Sequence, residues 1–196
     1  CRARQGLDMS AYRYRRALAC AASGRGTAGV IEKPGKAAFV QQYGGIYEHS
    51  PWIAEAAWDL LPARYSTDTL AECMAGCVDA ADAEAKQRLI RAHPDLAGRA
   101  AVRGELTRES TGEQASAGID QCTAGEFARF QDMNRRYRER FGFPFVMAVR
   151  GSNRHAILAA FEERLQNPAS AEFVRALTEI HKIARLRLDE LHGNED

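Results

Sequence analysis

Five side chains have the types and spacing to do chemistry together: His93, Ser110, Glu113, Gln114 and Arg187. His93 directly precedes Pro94, and a proline pushes the residue before it out of the α region. The helical pattern carrying Leu89 and Ile90 must therefore stop at His93. An imidazole at a junction between two helices can be rigid and still reachable. Its ordinary pKa near neutrality suits proton transfer. The structural alternative is a partner for the helix C-terminus or a satisfied core group. Ser110, Glu113 and Gln114 stand at i, i+3 and i+4, so all three can point one way from a helix. Ser-x-x-Glu is also a capping box, which would turn two of them onto backbone amides and leave Gln114 unexplained. The small residues Ala115, Ala117 and Gly118 would let another element approach closely.

Arg187 falls inside an apolar helical stripe made by Phe173, Leu177, Ile180, Ala184, Leu188 and Leu191. A buried guanidinium needs a partner, because an unpaired charge in an apolar setting is expensive. The partner is either an internal carboxylate, with Glu113 a candidate, or a carboxylate or carbonyl on a ligand. Arg175 and Arg185 lie off the stripe and are expected in solvent. The run Phe145–Val149 is apolar and too short for a helix of its own. With Pro144 inside its approach, residues 143–149 read as an extended, buried segment. Its backbone polar groups need partners, which a planar, amide-like ligand could provide.

Other site chemistries are weakly represented. The five histidines show no His-x-His or His-x-x-x-His spacing, and Cys73 and Cys77 have no third ligand nearby, so no metal is expected. No Gly-rich phosphate loop or Gly-x-Ser-x-Gly elbow occurs. Any chemistry is carried by side chains, with no cofactor.

Helices must position these groups. A short helix carries Phe39 and Val40 and breaks at Gly44-Gly45. Ser50-Pro51 reads as an N-cap followed by proline at the first helical position. The helix it opens bears Trp52, Ile53, Ala56 and Leu60 and stops near Pro62. Ser66 caps the next, through Leu70, Met74, Cys77 and Val78. Asp82 starts another, and Asp95 can cap a new one after Pro94. Thr123-Ala-Gly-Glu126 is a capping box opening a long amphipathic helix through Phe127, Phe130, Met133, Tyr137 and Phe141. Two further helices are expected over about 153–165 and about 170–191. No alternating strand pattern appears. The fold class is all-α, a single-domain bundle of about eight helices with one short extended segment.

With 196 residues the chain suits one domain over 36–196, preceded by an extension. Residues 1–35 are rich in Arg, Ala and Gly, without an apolar period, and read as disordered. Their Arg-rich, acid-poor character also fits a transit-type segment, though not a secretory signal. Residues 1–36 hold eight Lys+Arg against two Asp+Glu, leaving nineteen basic and twenty-four acidic residues, a net of about −5, for the body. A mildly acidic body argues against nucleic-acid binding. No apolar run approaches eighteen residues, so no membrane helix is expected. Five scattered cysteines, an odd number, point to reduced thiols and a cytoplasmic setting.

Four stretches, HPDLAGRA, LTRESTGEQASAG, RYRERFGFPFVMAVRG and EIHKIARLRLDEL, together with the upstream YGGIYEHSPWIAEAAW, resemble the OHCU decarboxylase family. The likeness runs in order over about residues 37–192. The family's substrate is 2-oxo-4-hydroxy-4-carboxy-5-ureidoimidazoline (OHCU). The resemblance implies an all-helical, cofactor-free homodimer that makes S-allantoin and carbon dioxide in urate breakdown. It further implies catalytic roles for His93, Glu113 and Arg187. Substrate would be bound by Pro94, Ser110 and Gln114 and by the backbone of Phe145, Val146, Met147, Ala148 and Val149. The chain ends GNED, without the Ser-Lys-Leu address of peroxisomal proteins. A non-catalytic helical interaction domain, or another ureido-substrate enzyme on the same scaffold, are the alternatives.

Overall fold

The computed structural model describes residues 29–98 and 104–193. The extension assigned to residues 1–35 lies outside the described residues up to position 28. Eight α-helices occur among the described residues: α1 Lys36–Tyr43, α2 Trp52–Leu60, α3 Thr67–Ala80, α4 Ala83–Ala92, α5 Arg108–Ser116, α6 Ala124–Phe141, α7 Arg154–Arg164 and α8 Ala169–Gly193. A 3₁₀ turn, Ile119–Gln121, joins α5 to α6. The all-α expectation holds. The exception is a two-residue antiparallel pair, β1 Ile31–Glu32 with β2 Arg64–Tyr65, in register Ile31 to Tyr65. Strands this short have no period to read, and β1 falls within the stretch assigned to the extension.

Contacts divide the described residues into two compact units, one of residues 29–83 with 188–193 and one of 84–98 with 104–187. In the first, α1, α2 and α3 pack around Phe39, Ile53, Leu70, Met74 and Val78, all 1% exposed or less. Ser66 caps α3, accepting from the Thr69 N–H at 3.2 Å. Ser50 does not cap α2 as expected. The cap position falls at Pro51 and the first turn closes through backbone bonds, Ile53 N–H to Ser50 oxygen at 3.1 Å. The Tyr43 hydroxyl lies 3.2 Å from His192 Nε2 at the end of α8.

The second unit holds every candidate site residue. Its core is aromatic: Tyr137 of α6 meets Phe145 edge-on, and Phe145 stacks on Phe161 of α7 with centroids 3.7 Å apart. The capping box at Thr123 and Glu126 forms as expected. Gly142 ends α6 at φ +77°, where a side chain would be strained. That sharp exit turns the chain into residues 143–149, which are neither helical nor strand-paired, as expected. Asn153 caps α7, accepting from the His155 and Ala156 N–H groups. Along α8, Leu177, Ile180, Ala184 and Arg187 are buried; Leu191, placed on the same stripe from sequence, is exposed.

Candidate functional site

His93 sits one residue past α4, and its own N–H closes the last turn onto Ile90 oxygen at 3.2 Å. Its Nδ1 is 3.0 Å from the Leu89 carbonyl oxygen. A carbonyl can only accept, so Nδ1 carries the hydrogen, and in the neutral ring Nε2 bears the lone pair. His93 is 6% exposed.

The capping-box alternative for Ser110 and Glu113 is ruled out. Thr107 is the N-cap of α5, its side chain accepting from the Ser110 N–H at 3.2 Å. The cap therefore lies three residues before Ser110, and Ser110, Glu113 and Gln114 all fall within the helix, on one face. Glu113 receives Arg187 in a two-pronged pair, Nε to Oε1 at 2.7 Å and Nη2 to Oε2 at 3.0 Å. Arg187 Nη2 also reaches Ser110 Oγ at 3.4 Å. Both readings of Arg187 are thus compatible: it is internally paired, and it also borders a cavity.

That cavity is small and open on one side. His93, Ser110, Glu113, Gln114 and Arg187 all line it, as do Pro94, Phe145, Val146, Met147 and Val149. Sequence reasoning missed two wall residues, Leu96 and Ile183. Ile183 was within reach, since it stands one helical turn before Arg187.

Ala148 is the predicted site residue absent from the wall. Its N–H instead donates to Glu179 Oε2 at 3.0 Å. Burial pushes the Glu179 carboxyl up, but the Lys182 hydrogen bond, the Ala148 N–H and the charges of Lys182 and Arg175 outweigh it. The carboxyl ends below its ordinary value. Two residues earlier, the Val146 carbonyl accepts from Arg164 Nη1 at 2.7 Å. Arg164 also pairs with Glu172, which is fully buried, through Nε at 2.8 Å. The Tyr137 hydroxyl donates to the same carboxylate. Burial, reinforced by Glu172, raises the Tyr137 pKa and keeps its proton in place. The expectation that backbone groups of the extended run need partners is therefore met partly by protein, through Arg164 on one side and Glu179 on the other.

Gln114 lines the cavity, yet both ends of its carboxamide reach backbone. Its oxygen accepts the Ala97 N–H at 3.0 Å, and its nitrogen lies 3.5 Å from the Asp95 carbonyl. Asp95, expected to cap a new helix, instead pairs with Arg138 at 2.9 Å beside a turn at Leu96–Ala97. The continuation of any such helix, residues 99–103, lies outside the described residues. Among the described residues no three His, Cys, Asp or Glu side chains gather as metal ligands, and no helix is long and apolar enough to cross a membrane. Cys73, Cys77 and Cys122 are not joined in disulfides; Cys1 and Cys20 lie outside the described residues.

Comparison with known proteins places these residues in a family. The model for OHCU decarboxylase matches residues 33–189. A 2-oxo-4-hydroxy-4-carboxy-5-ureidoimidazoline decarboxylase of Haloferax volcanii is 48% identical over 157 residues, 80% of this chain and 90% of its own. One from Halalkalicoccus jeotgali is 42% identical, covering 82% of this chain and 89% of its own. Among solved structures, a crystal structure of (S)-allantoin synthase superposes with a TM-score of 0.63 at 32% identity, covering 81% of this chain and 50% of that one.

Proposed function

The chain belongs to the OHCU decarboxylase family, and from that premise we propose that it converts OHCU to S-allantoin and carbon dioxide in urate degradation, as a cofactor-independent carboxy-lyase. The observation that carries this reading is the convergence of His93, Glu113 and Arg187 on one cavity from three separate helical regions.

In the substrate a single carbon bears both the carboxylate and a hydroxyl. The bond to the carboxylate breaks, carbon dioxide leaves, and the electron pair enters the adjacent unsaturated ring. In its neutral form His93 Nε2 accepts the hydroxyl proton as that bond breaks and then delivers it to one face of the ring, while solvent protonates the ring nitrogen that received the electron pair; delivery from one side of the cavity sets the chirality of the product. Arg187 offers a charged donor to an anionic or carbonyl oxygen, and Glu113 holds that guanidinium in a fixed plane. Preorganised donors of this kind stabilise charge that develops in the transition state. Ser110, Gln114, Pro94 and residues 145–149 shape the space around the ring and ureido arm. In this reading the enzyme works as a cytoplasmic homodimer on a small molecule, with no nucleic acid or membrane partner.

The test is to supply freshly made OHCU and follow S-allantoin by circular dichroism. Positioned acid–base help is worth about 10²–10⁴-fold. His93→Ala should lose at least that order of turnover with an unchanged melting profile. A wild-type rate in that variant would remove His93 from the reaction.

A further inference from the structure

Three side chains on one face of α6, Gln131, Asn134 and Arg138, stand at i, i+3 and i+7 and reach the same short stretch after His93. Arg138 pairs with the Asp95 carboxylate at 2.9 Å. Asn134 Nδ2 donates to the Leu96 carbonyl at 2.8 Å, and Gln131 Nε2 to the Ala97 carbonyl at 2.5 Å. From the opposite side Gln114 accepts the Ala97 N–H. The stretch so held is strained. Ala97 is buried and sits at φ +50°, a region L-residues avoid. Such a conformation persists where the surroundings over-determine it, and it concentrates at functional sites.

Asn134 carries a second mark. It is 4% exposed, yet its Oδ1 has no hydrogen-bond partner among the described residues. A buried amide with half its capacity unmet is retained at a penalty. What it does make is one bond, to the carbonyl of the residue whose side chain walls the cavity beside His93. Between Leu96 and His93 lie two residues, one of them the conformationally fixed Pro94. A shift of the Leu96 carbonyl is therefore passed to the imidazole with little slack.

We propose that Asn134, which does not touch the cavity, is a positioning residue for the decarboxylation. By gripping the Leu96 carbonyl it holds the strained turn that aligns the Leu96 wall and the His93 imidazole with the Arg187–Glu113 pair. The inference rests on the reading of His93 as the proton-transfer group.

The experiment compares the full chain with Asn134→Leu, which keeps bulk and removes the donor. If that variant does not fold, Asn134→Ala takes its place, since it removes the donor without burying a charge. Imidazole signals of ¹⁵N-histidine-labelled protein are recorded across pH, with exposed His155 as the internal control. The His93 signals and their titration midpoint should move while those of His155 stay. With OHCU, kcat should fall by about 10²-fold, the effect of a misplacement of about 1 Å, with KM changed far less. In a His93→Ala background the same substitution should cause no further loss. Unmoved His93 signals, or a loss that multiplies on top of His93→Ala, would overturn the proposal. If His93→Ala itself turns over at the wild-type rate, the role given to His93 fails; the ring signals then still decide whether Asn134 places that ring.

Discussion

Removing Glu113 should do two separable things. The Arg187 side chain is 4% exposed and that of Glu113 13%. Glu113→Ala takes from the guanidinium the carboxylate that receives both its Nε and Nη2. Deleting one partner of a buried ion pair typically costs about 3–5 kcal/mol, because the other charge is stranded. The cavity has a mouth through which water can reach Arg187, so the lower end, about 3 kcal/mol, is the better figure here. In a chain of this size each kcal/mol lowers Tm by about 2–4 °C, which predicts a fall of about 6–12 °C. Replacing both residues, Glu113→Ala with Arg187→Leu, removes the stranded charge, and an apolar pair there is often close to neutral. The double variant should therefore regain most of the lost Tm, a coupling of more than about 1 kcal/mol in a mutant cycle. It should regain no turnover of OHCU, since the charged fork is gone. Melts followed by circular dichroism, paired with the allantoin assay, read both effects. A single variant melting within about 1 °C of the parent, or losses that simply add in the double variant, would refute the picture of an enclosed, mutually dependent pair.

The same logic applies with fewer escape routes at Arg164→Met, because Glu172 is fully buried. A loss of about 3–5 kcal/mol in denaturant unfolding is expected, with KM raised because the Val146 carbonyl loses its donor. Glu179 gives a pH signature. Its folded pKa lies below the ordinary 4.5, so its contribution to stability is complete above that value and disappears as pH falls through the folded one. Glu179→Gln should therefore be less stable than the parent at neutral pH and show a shallower loss below about pH 4.5 in acid titrations of Tm. Equal acid slopes would contradict this.

The elements were largely legible because helices carry their signals locally. Thr123 with Glu126, Asn153, Ser66 and the Pro94 stop are all visible within four residues of the feature they cause. The exceptions have physical reasons. Ser110-x-x-Glu113 satisfies the capping rule as well as Thr107 does. What decides between them is that a start at Thr107 lets Glu113 face Arg187, which lies seventy-four positions away. Local rules contain no such term. Leu191 fits the period of α8 but falls at its exposed end. The strand pair has two residues on each side, too few for any alternation to register.

The candidate site was legible in its cavity-lining members and opaque in its supports. His93 betrayed itself by the proline after it, and Arg187 by its place on an apolar stripe. Both signals are violations of a local preference, and violations of this kind mark function. Gln114 looked like a ligand contact because nothing nearby explained it; its partners are backbone atoms seventeen and nineteen residues back. Arg164, Glu172 and Glu179 looked like ordinary members of charged helices, because a period shows which face a residue is on and not what waits opposite. A buried charge is recognisable from sequence only where its face is otherwise apolar, as at Arg187. On mixed faces such as that of α6, where Asn134 and Arg138 alternate with Phe130, Met133 and Tyr137, polar residues that grip another segment's backbone read the same as polar residues in water. The shell that fixes a catalytic group is thus the part of an enzyme that local sequence rules hide best, and the part for which coordinates add most.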